Sequence, residues 1–360
     1  MSDSTLLQDA VSRVFLDFYR NDRLNKARQE GWCTELWKAL EQTGMTLVSV
    51  PESLGGSGGS VVEAAEILRL SGKYCAAVPL AETALLAGWA LAAQGIALPQ
   101  GPLAFGIVQG RDQLRVDRND GAWEISGYVD PVPYARHASA VVLVARIGAG
   151  SKVICAPAST YRVHPHANLA GEARDRIVFD EDALDDWRVS DAESSVTVEQ
   201  ALQRGALARA VQMSGALERI LEMTTEYARH RAQFGRPIIK FQAVQQELAR
   251  LAGEAAIAKA SAMAAAASVQ ANDRAEMAVA FAKIRAGEAA QAGASIAHQL
   301  HGAIGVTDEY LLHHSTLRLW AWRSEYGSEA VWADKLGRHA LDRGSAKLWA
   351  EITGSVRDPR

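Results

Sequence analysis

Cysteine is scarce in this 360-residue chain: Cys33, Cys75 and Cys155 stand far apart, odd in number and without a C-x-x-C pair. That excludes a disulfide framework and a cysteine-based metal clip. Nowhere does an apolar run free of charge reach the roughly 18 residues that a membrane span needs. The opening MSDSTLLQDAVSR has no basic segment followed by an apolar one, so no signal peptide is expected and the sequence reads as cytoplasmic. Strong charge of one sign is missing too. Lys and Arg total 38 against 42 Asp and Glu, a net −4, which leaves no general attraction to nucleic acid or anionic membrane. What remains, 48% hydrophobic and 22% charged, is the composition of a globular chain long enough for two or three domains.

Hydrophobic periodicity divides the chain into three zones. In residues 1–98, Leu6, Leu7, Val11, Val14, Phe15 and Phe18 recur at threes and fours, the stripe of a half-buried helix. A second helix is expected over about 33–43. Pro51 and the four glycines between 55 and 59 then interrupt, and helix resumes in VVEAAEILRL and AETALLAGWALAAQG. Residues 99–192 change period: LAFGIVQ, QLRVDR, AWEISGY, ASAVVLVARI, SKVICAPA and RIVFDE predict a small β domain of five to seven strands. Residues 193–360 return to helix in four or five long pieces, one of them rich in alanine. The first of these is expected to end at EYARHRAQFGRP, with Gly235 at the left-handed C′ position and Pro237 beyond it. The fold class is therefore α+β: a helical N-terminal domain, a middle β-barrel or sheet domain, and a C-terminal four-helix bundle.

Four segments carry more specific information: ELWKALEQTGMTLVSVPESLGGSGGSVVEAAEIL, YARHRAQFGRPIIKFQAVQQELA (227–249), AKIRAGEAAQAGASIAHQLHGAIGVTDEYLLHHSTLR (282–318) and EYGSEAVW (325–332). Arg231 could clamp paired phosphate oxygens or simply offset a helix dipole. Gly302 and Gly305 permit either close approach to a phosphate or a plain interhelical turn. In order and content these segments resemble the acyl-CoA dehydrogenase family. The matched elements are V-P-E-x-x-G-G-x-G, Y-x-x-x-R-x-x-F-G-x-x-I-x-x-x-Q, Q-x-x-G-G-x-G-x-x-x-E-Y and the E-G-T loop. The resemblance implies FAD as cofactor, an acyl-CoA thioester as substrate, and a dimer or tetramer whose flavin sites lie between subunits. An electron-accepting flavoprotein is implied as the onward partner. It also implies Arg231, Gln233, Phe234, Gln242, Gln299, His301, Gly302 and Ser328 as cofactor-binding positions, with His301 replacing the family's usual small or leucine-like residue. His298, His301, His313 and His314 lack accompanying cysteines or acids, so no metal is expected.

The family's reaction needs a desolvated carboxylate to take the α-proton of the thioester while hydride leaves Cβ. The slot before Gly327 and Ser328 holds Tyr326, so the candidate catalytic base is its neighbour Glu325. A solvated loop acid or an ion-pair partner of Arg323 is the alternative role for Glu325. The other place where relatives carry a base falls near Gly205, beside Arg204, with no acid. The T-E-P-x-x-G-S-D loop has no counterpart between LAFGIVQG and RDQLRV, and PVPYARHA stands where W-I-(S/T) is expected, with Tyr134 as a substitute cover for a flavin ring. The resemblance thus implies an acyl-CoA dehydrogenase or the non-catalytic partner subunit of a heteromeric one. Heteromeric relatives often take bulky thioesters such as steroid side chains. A flavin monooxygenase or acyl-CoA oxidase relative is a further reading.

Overall fold

The computed structural model describes residues 3–108, 114–119, 122–147, 150–180, 188–190, 195–271 and 275–344. The missing-loop expectation falls on residues 109–113 and lies outside them.

Three short helices open the chain: α1 (Asp3–Leu16), α2 (Asn21–Glu30) and α3 (Thr34–Gln42). Of these α2 escapes the sequence reading because its NDRLNKARQE buries only Leu24 and Ala27, too few to write a stripe. The helix α4 (Val61–Lys73) begins directly after the glycine-rich segment. Its start is fixed by a capping box in which Glu63 N–H donates to Ser60 Oγ at 3.1 Å and Ser60 N–H to Glu63 Oε2 at 2.7 Å. The apolar run that follows is a buried π-helix over Ala81–Gly88 leading into α5 (Trp89–Ala92).

Eight strands follow: β1 (Leu103–Ile107), β2 (Arg115–Asn119), β3 (Ala122–Pro133), β4 (Ala140–Ile147), β5 (Gly150–Pro157), β6 (Arg162–His164), β7 (Arg174–Phe179) and β8 (Arg188–Val189). They form two sheets, ordered β1-β4-β5-β8 and β2-β3-β7-β6; among the described residues the β1–β4 pair is parallel and the other pairs are antiparallel. Strand β4 shows why the first sheet is apolar on both sides. Val141 and Leu143 face the second sheet with Val129, Ile177 and Phe179, while Val142 and Val144 face Leu86, Leu91 and Ala201 of the helices.

The C-terminal part comprises α6 (Val198–His230), α7 (Gln242–Ala271), α8 (Ala275–His301), α9 (Leu312–Ser324) and α10 (Glu329–Arg343). The first three pack on one another, α9 lies on α6 and α8, and α10 on α8. Alanines 258, 262 and 265 of α7 and 286, 289 and 290 of α8 are fully buried, which lets the helix axes approach closely. At the α4–α6 crossing a Cβ on Gly215 would lie 1.8 Å from the carbonyl oxygen of Arg69, so only glycine fits.

One local expectation is corrected. Helix α6 stops at His230, with Arg231 as an extended C-cap. Residues β9 (Ala232–Gln233) and β10 (Arg236–Pro237) then form a hairpin. Gly235 (φ +78°) and Phe234 (φ +51°) are its two turn residues, so the left-handed glycine serves a tight hairpin and not the helix end.

Candidate active site and cofactor edge

Glu325 caps α9 at the meeting point of helices and sheet, with a side chain only 17% exposed. Arg174 Nε and Nη2 donate to its two oxygens at 2.8 and 3.1 Å, Arg209 Nε donates at 2.6 Å, and Asn168 Nδ2 at 3.3 Å. Four donors occupy a carboxylate that offers about four lone-pair sites. The expected alternative partner, Arg323, binds Glu329 at 2.6 Å instead.

The pairing extends outwards. Arg209 also donates to Glu82 and Gln212, each at 2.6 Å, and Arg174 to Glu172 at 3.1 Å. Arg318 Nε and Trp322 Nε1 donate to Glu172 at 3.0 and 2.9 Å. Three guanidinium groups therefore balance three carboxylates drawn from the π-helix, β7 and the loop before it, α6, α9 and the loop after it. Burial by itself would push the Glu325 carboxyl up, but the guanidinium groups of Arg174 and Arg209 bring it down to about 2. Such a carboxylate is ionised and hydrogen-bonded, and a weaker base than an ordinary glutamate.

Sequence reasoning missed Arg174, Arg209, Glu82 and Arg318. Their signal is a single charge inside an otherwise apolar run, as in ALARAVQM around Arg209 and ETALL around Glu82. A helix face buried by its neighbours admits such a charge only with a partner.

Tyr326 follows at φ +56°, its ring against α6 at the other expected base position. A Cβ on Gly205 would lie 2.3 Å from Tyr326 Cδ1, so neither a base nor any side chain fits there while this ring is in place. The Tyr326 hydroxyl is buried and, among the described residues, has no hydrogen-bond partner. Beside the turn lies a cavity of about 650 Å³ with apolar walls from Phe105, Ile107, Pro131, Pro133, Leu202 and Val331. The two prolines, standing in the segment where W-I-(S/T) was expected, have no N–H to offer a ligand. Tyr134 does not cover a ring there: it is 3% exposed, buried beneath the Arg174 guanidinium at 5.4 Å from its centroid. The cavity walls are mainly apolar, and the Arg174–Glu325 pair that reaches them is committed to itself.

The other predicted residues lie at the far end of α6. Position 231 is 26 residues from 205, about 39 Å along the helix. There Arg231, Gln233, Phe234, Gln242, Gln299 and Gly302 are exposed, Phe234 at 92%. Among the described residues no carboxylate pairs with Arg231. Tyr227, one turn before Arg231, stacks on His301 at 4.4 Å and donates its hydroxyl to the His301 carbonyl at 3.3 Å. That brings the end of α6 beside the Gly302 turn. His301 itself is corrected: it is 4% exposed, with Nδ1 2.8 Å from the Ala297 carbonyl and Nε2 3.3 Å from the Tyr310 hydroxyl. Both ring nitrogens are used internally, which leaves no polar atom for a cofactor. Ser328, the N-cap residue of α10, adjoins the Tyr326–Gly327 turn and belongs to the cavity end. The exposed set, a guanidinium with amides and a glycine-bearing turn, has the donor types that a diphosphate needs. Among the described residues no cluster of three metal-ligating side chains occurs, and no helix is long and apolar enough to cross a membrane.

The comparisons agree with this architecture. The family "Acyl-CoA dehydrogenase, N-terminal domain" matches residues 2–97, and "Acyl-CoA dehydrogenase, C-terminal domain" matches 195–341. The acyl-CoA dehydrogenase IpdE2 of Mycobacterium tuberculosis is 30% identical over 299 residues, covering 81% of this chain and 82% of its own. Acyl-CoA dehydrogenase FadE27 of the same organism is 34% identical over 232 residues, 60% of this chain and 61% of its own. In the crystal structure of the ChsE4–ChsE5 complex from Mycobacterium tuberculosis, one chain superposes with a TM-score of 0.87 at 27% identity, covering 96% of this chain and 99% of that one. The chain belongs to the acyl-CoA dehydrogenase family, FAD-linked oxidoreductases that act on the CH–CH bond of acyl-CoA thioesters.

Proposed function

We propose that this chain works in a heteromeric acyl-CoA dehydrogenase as the subunit that completes a partner's FAD site, while the partner carries the base and the flavin ring. The observation that carries this reading is the commitment of Glu325 to Arg174 and Arg209, with its acidity raised to a pKa of about 2, at the end of the protomer opposite the free Arg231. A carboxylate in that state does not accept an α-proton. Arg231 would hold a flavin diphosphate from the neighbouring chain, with Gln233, Gln242 and Gln299 meeting its polar edges and the Gly302 turn admitting its close approach. Bound FAD supplies the hydride acceptor; this chain supplies charge and shape at the far end of the nucleotide. The substrate is an acyl-CoA thioester of bulky acyl group, as the kinship with heteromeric relatives suggests, and a second flavoprotein takes the electrons onward.

The test is the flavin absorbance of the purified chain, alone and co-expressed with a homologous subunit. Colour is expected only in the co-complex, at one flavin per pair of unlike chains. Arg231→Ala should keep the fold, since the side chain is exposed and unpaired, and lower flavin retention of the co-complex. Stoichiometric flavin on the chain alone, with thioester oxidation lost in Glu325→Gln, would establish an independent dehydrogenase instead.

A further inference from the structure

Helix α2 is polar and held by little, with Leu24 and Ala27 as its buried residues. Asn21 Nδ2 donates to the Asp308 carbonyl at 2.8 Å, and Arg28 lies 3.6 Å from the Asp308 carboxylate, an exposed pair of small worth. At its other end the Ala173 N–H donates to the Gly31 carbonyl at 3.2 Å, seating the helix on the β domain. A histidine stands at each anchorage. His314, at the start of α9, is 1% exposed, and its Nε2 is buried and, among the described residues, without a hydrogen-bond partner. Arg318 and His313 of its own helix and Arg28 of α2 face it, with the His313 ring 4.0 Å away. His137, in the turn after β3, stacks on Trp32 at 4.8 Å and bonds the Glu30 carbonyl that ends α2. Its Nε2 is likewise buried and unpartnered among the described residues, and Arg136 and Asp175 face the ring. Burial, followed by Arg318, His313 and Arg28, holds His314 far below the ordinary 6.5, at about 2. Burial and then Arg136 hold His137 at about 4, against the opposing pull of Asp175 and the Glu30 carbonyl.

Charging either ring in place sets an imidazolium beside a guanidinium with its Nε2–H unmet, whereas lifting α2 admits water to both. We propose that α2 is an acid-released strap: protonation of His314 and His137 frees it from the Asp308 turn and from the β domain while the rest of the fold holds. Both folded values lie below the ordinary one, so release takes up a proton on each ring; it is disfavoured above about pH 6.5 and gains steadily below it. Between pH 7 and 5 the release equilibrium should rise about twentyfold for each histidine, and about four-hundredfold for both, while surface carboxylates stay largely ionised. The Asp308 segment continues the Gly302 turn, so that exposed edge loosens with the strap. Neither flavin nor partner subunit enters this equilibrium.

Hydrogen exchange of the full-length chain at pH 7 and 5, read by mass spectrometry with each amide referred to its intrinsic rate at that pH, tests it. Protection of α2 (Asn21–Glu30) should fall between the two pH values by up to about four-hundredfold more than that of α4 (Val61–Lys73), which reports global opening. His314→Gln and His137→Gln should each remove about twentyfold of that difference, and the double variant should bring the two helices into step. Circular-dichroism melts at pH 7 establish that each variant folds; leucine, which also lacks a titrating ring, replaces glutamine at a position where glutamine does not. Protection of α2 that is unchanged at pH 5, that falls only in step with α4, or that falls as far in the double variant as in the parent chain overturns the proposal.

Discussion

Replacing Glu325 by glutamine removes the charge on which Arg174 and Arg209 converge while keeping the side chain's shape. Lowering a carboxyl from its ordinary 4.5 to about 2 corresponds to about 3 kcal/mol of stabilisation of the folded, ionised state. Leaving two buried guanidinium groups short of a counter-charge costs a similar amount, about 3–5 kcal/mol. For a chain of this length the unfolding entropy converts 3 kcal/mol into a fall in melting temperature of about 4 °C. The pH dependence gives a second signature. Because the folded pKa is depressed, the stabilisation is complete above about pH 4.5 and drains away as pH falls toward 2. The parent chain should therefore lose stability more steeply than Glu325→Gln over that window, and the two should converge at its acid end. Urea unfolding at about pH 7, 4 and 3 measures both effects. In the co-complex with a homologous subunit, turnover per bound flavin should survive the substitution. The reasoning is refuted if Glu325→Gln leaves stability unchanged at pH 7 while abolishing turnover with flavin retained.

Two further outcomes are expected. Gly205→Ala drives a methyl into the Tyr326 ring and should cost about 1–3 kcal/mol; adding Tyr326→Gly should make the pair less damaging than the sum of the two, as read from a double-mutant cycle of urea midpoints. Lys283 is 1% exposed, donates to the Trp322 and Arg323 carbonyls at 3.0 and 2.7 Å, and is lowered by burial to about 7. Between about pH 7 and 10 the unfolded chain holds the proton that the folded chain has shed, so stability should rise with pH, by up to about 1.4 kcal/mol per unit. Lys283→Met should flatten that rise in thermal melts at pH 7, 8 and 9.

The three-zone order was legible because its signals are local: period-two runs such as ASAVVLVARI and the stripe through Val11 and Phe15. The exposed edge was legible only in part. Arg231, Phe234 and Gly302 are exposed, but His301 carries a signal identical to a surface residue's and is drawn inside by Tyr227 and Tyr310. Glu325 shows the deeper difficulty. Its neighbours in sequence are Ser324 and Tyr326, whereas the groups that determine its chemistry are 116 and 151 positions away. No window of sequence holds both ends of such a pairing. The hairpin at Phe234–Gly235 failed for the opposite reason, since one glycine signal serves two different chain reversals.

Helix α6 is a stiff spacer between a chamber at one end and a guanidinium at the other. Some 26 residues of helix, about 39 Å, separate them, so a side chain changed at one end touches nothing at the other. On the proposed reading, substitutions at Gly205, Pro131 and Tyr326 bear on the chamber and leave the exposed surface around Arg231 unchanged. The spacer thereby lets the two ends be altered separately.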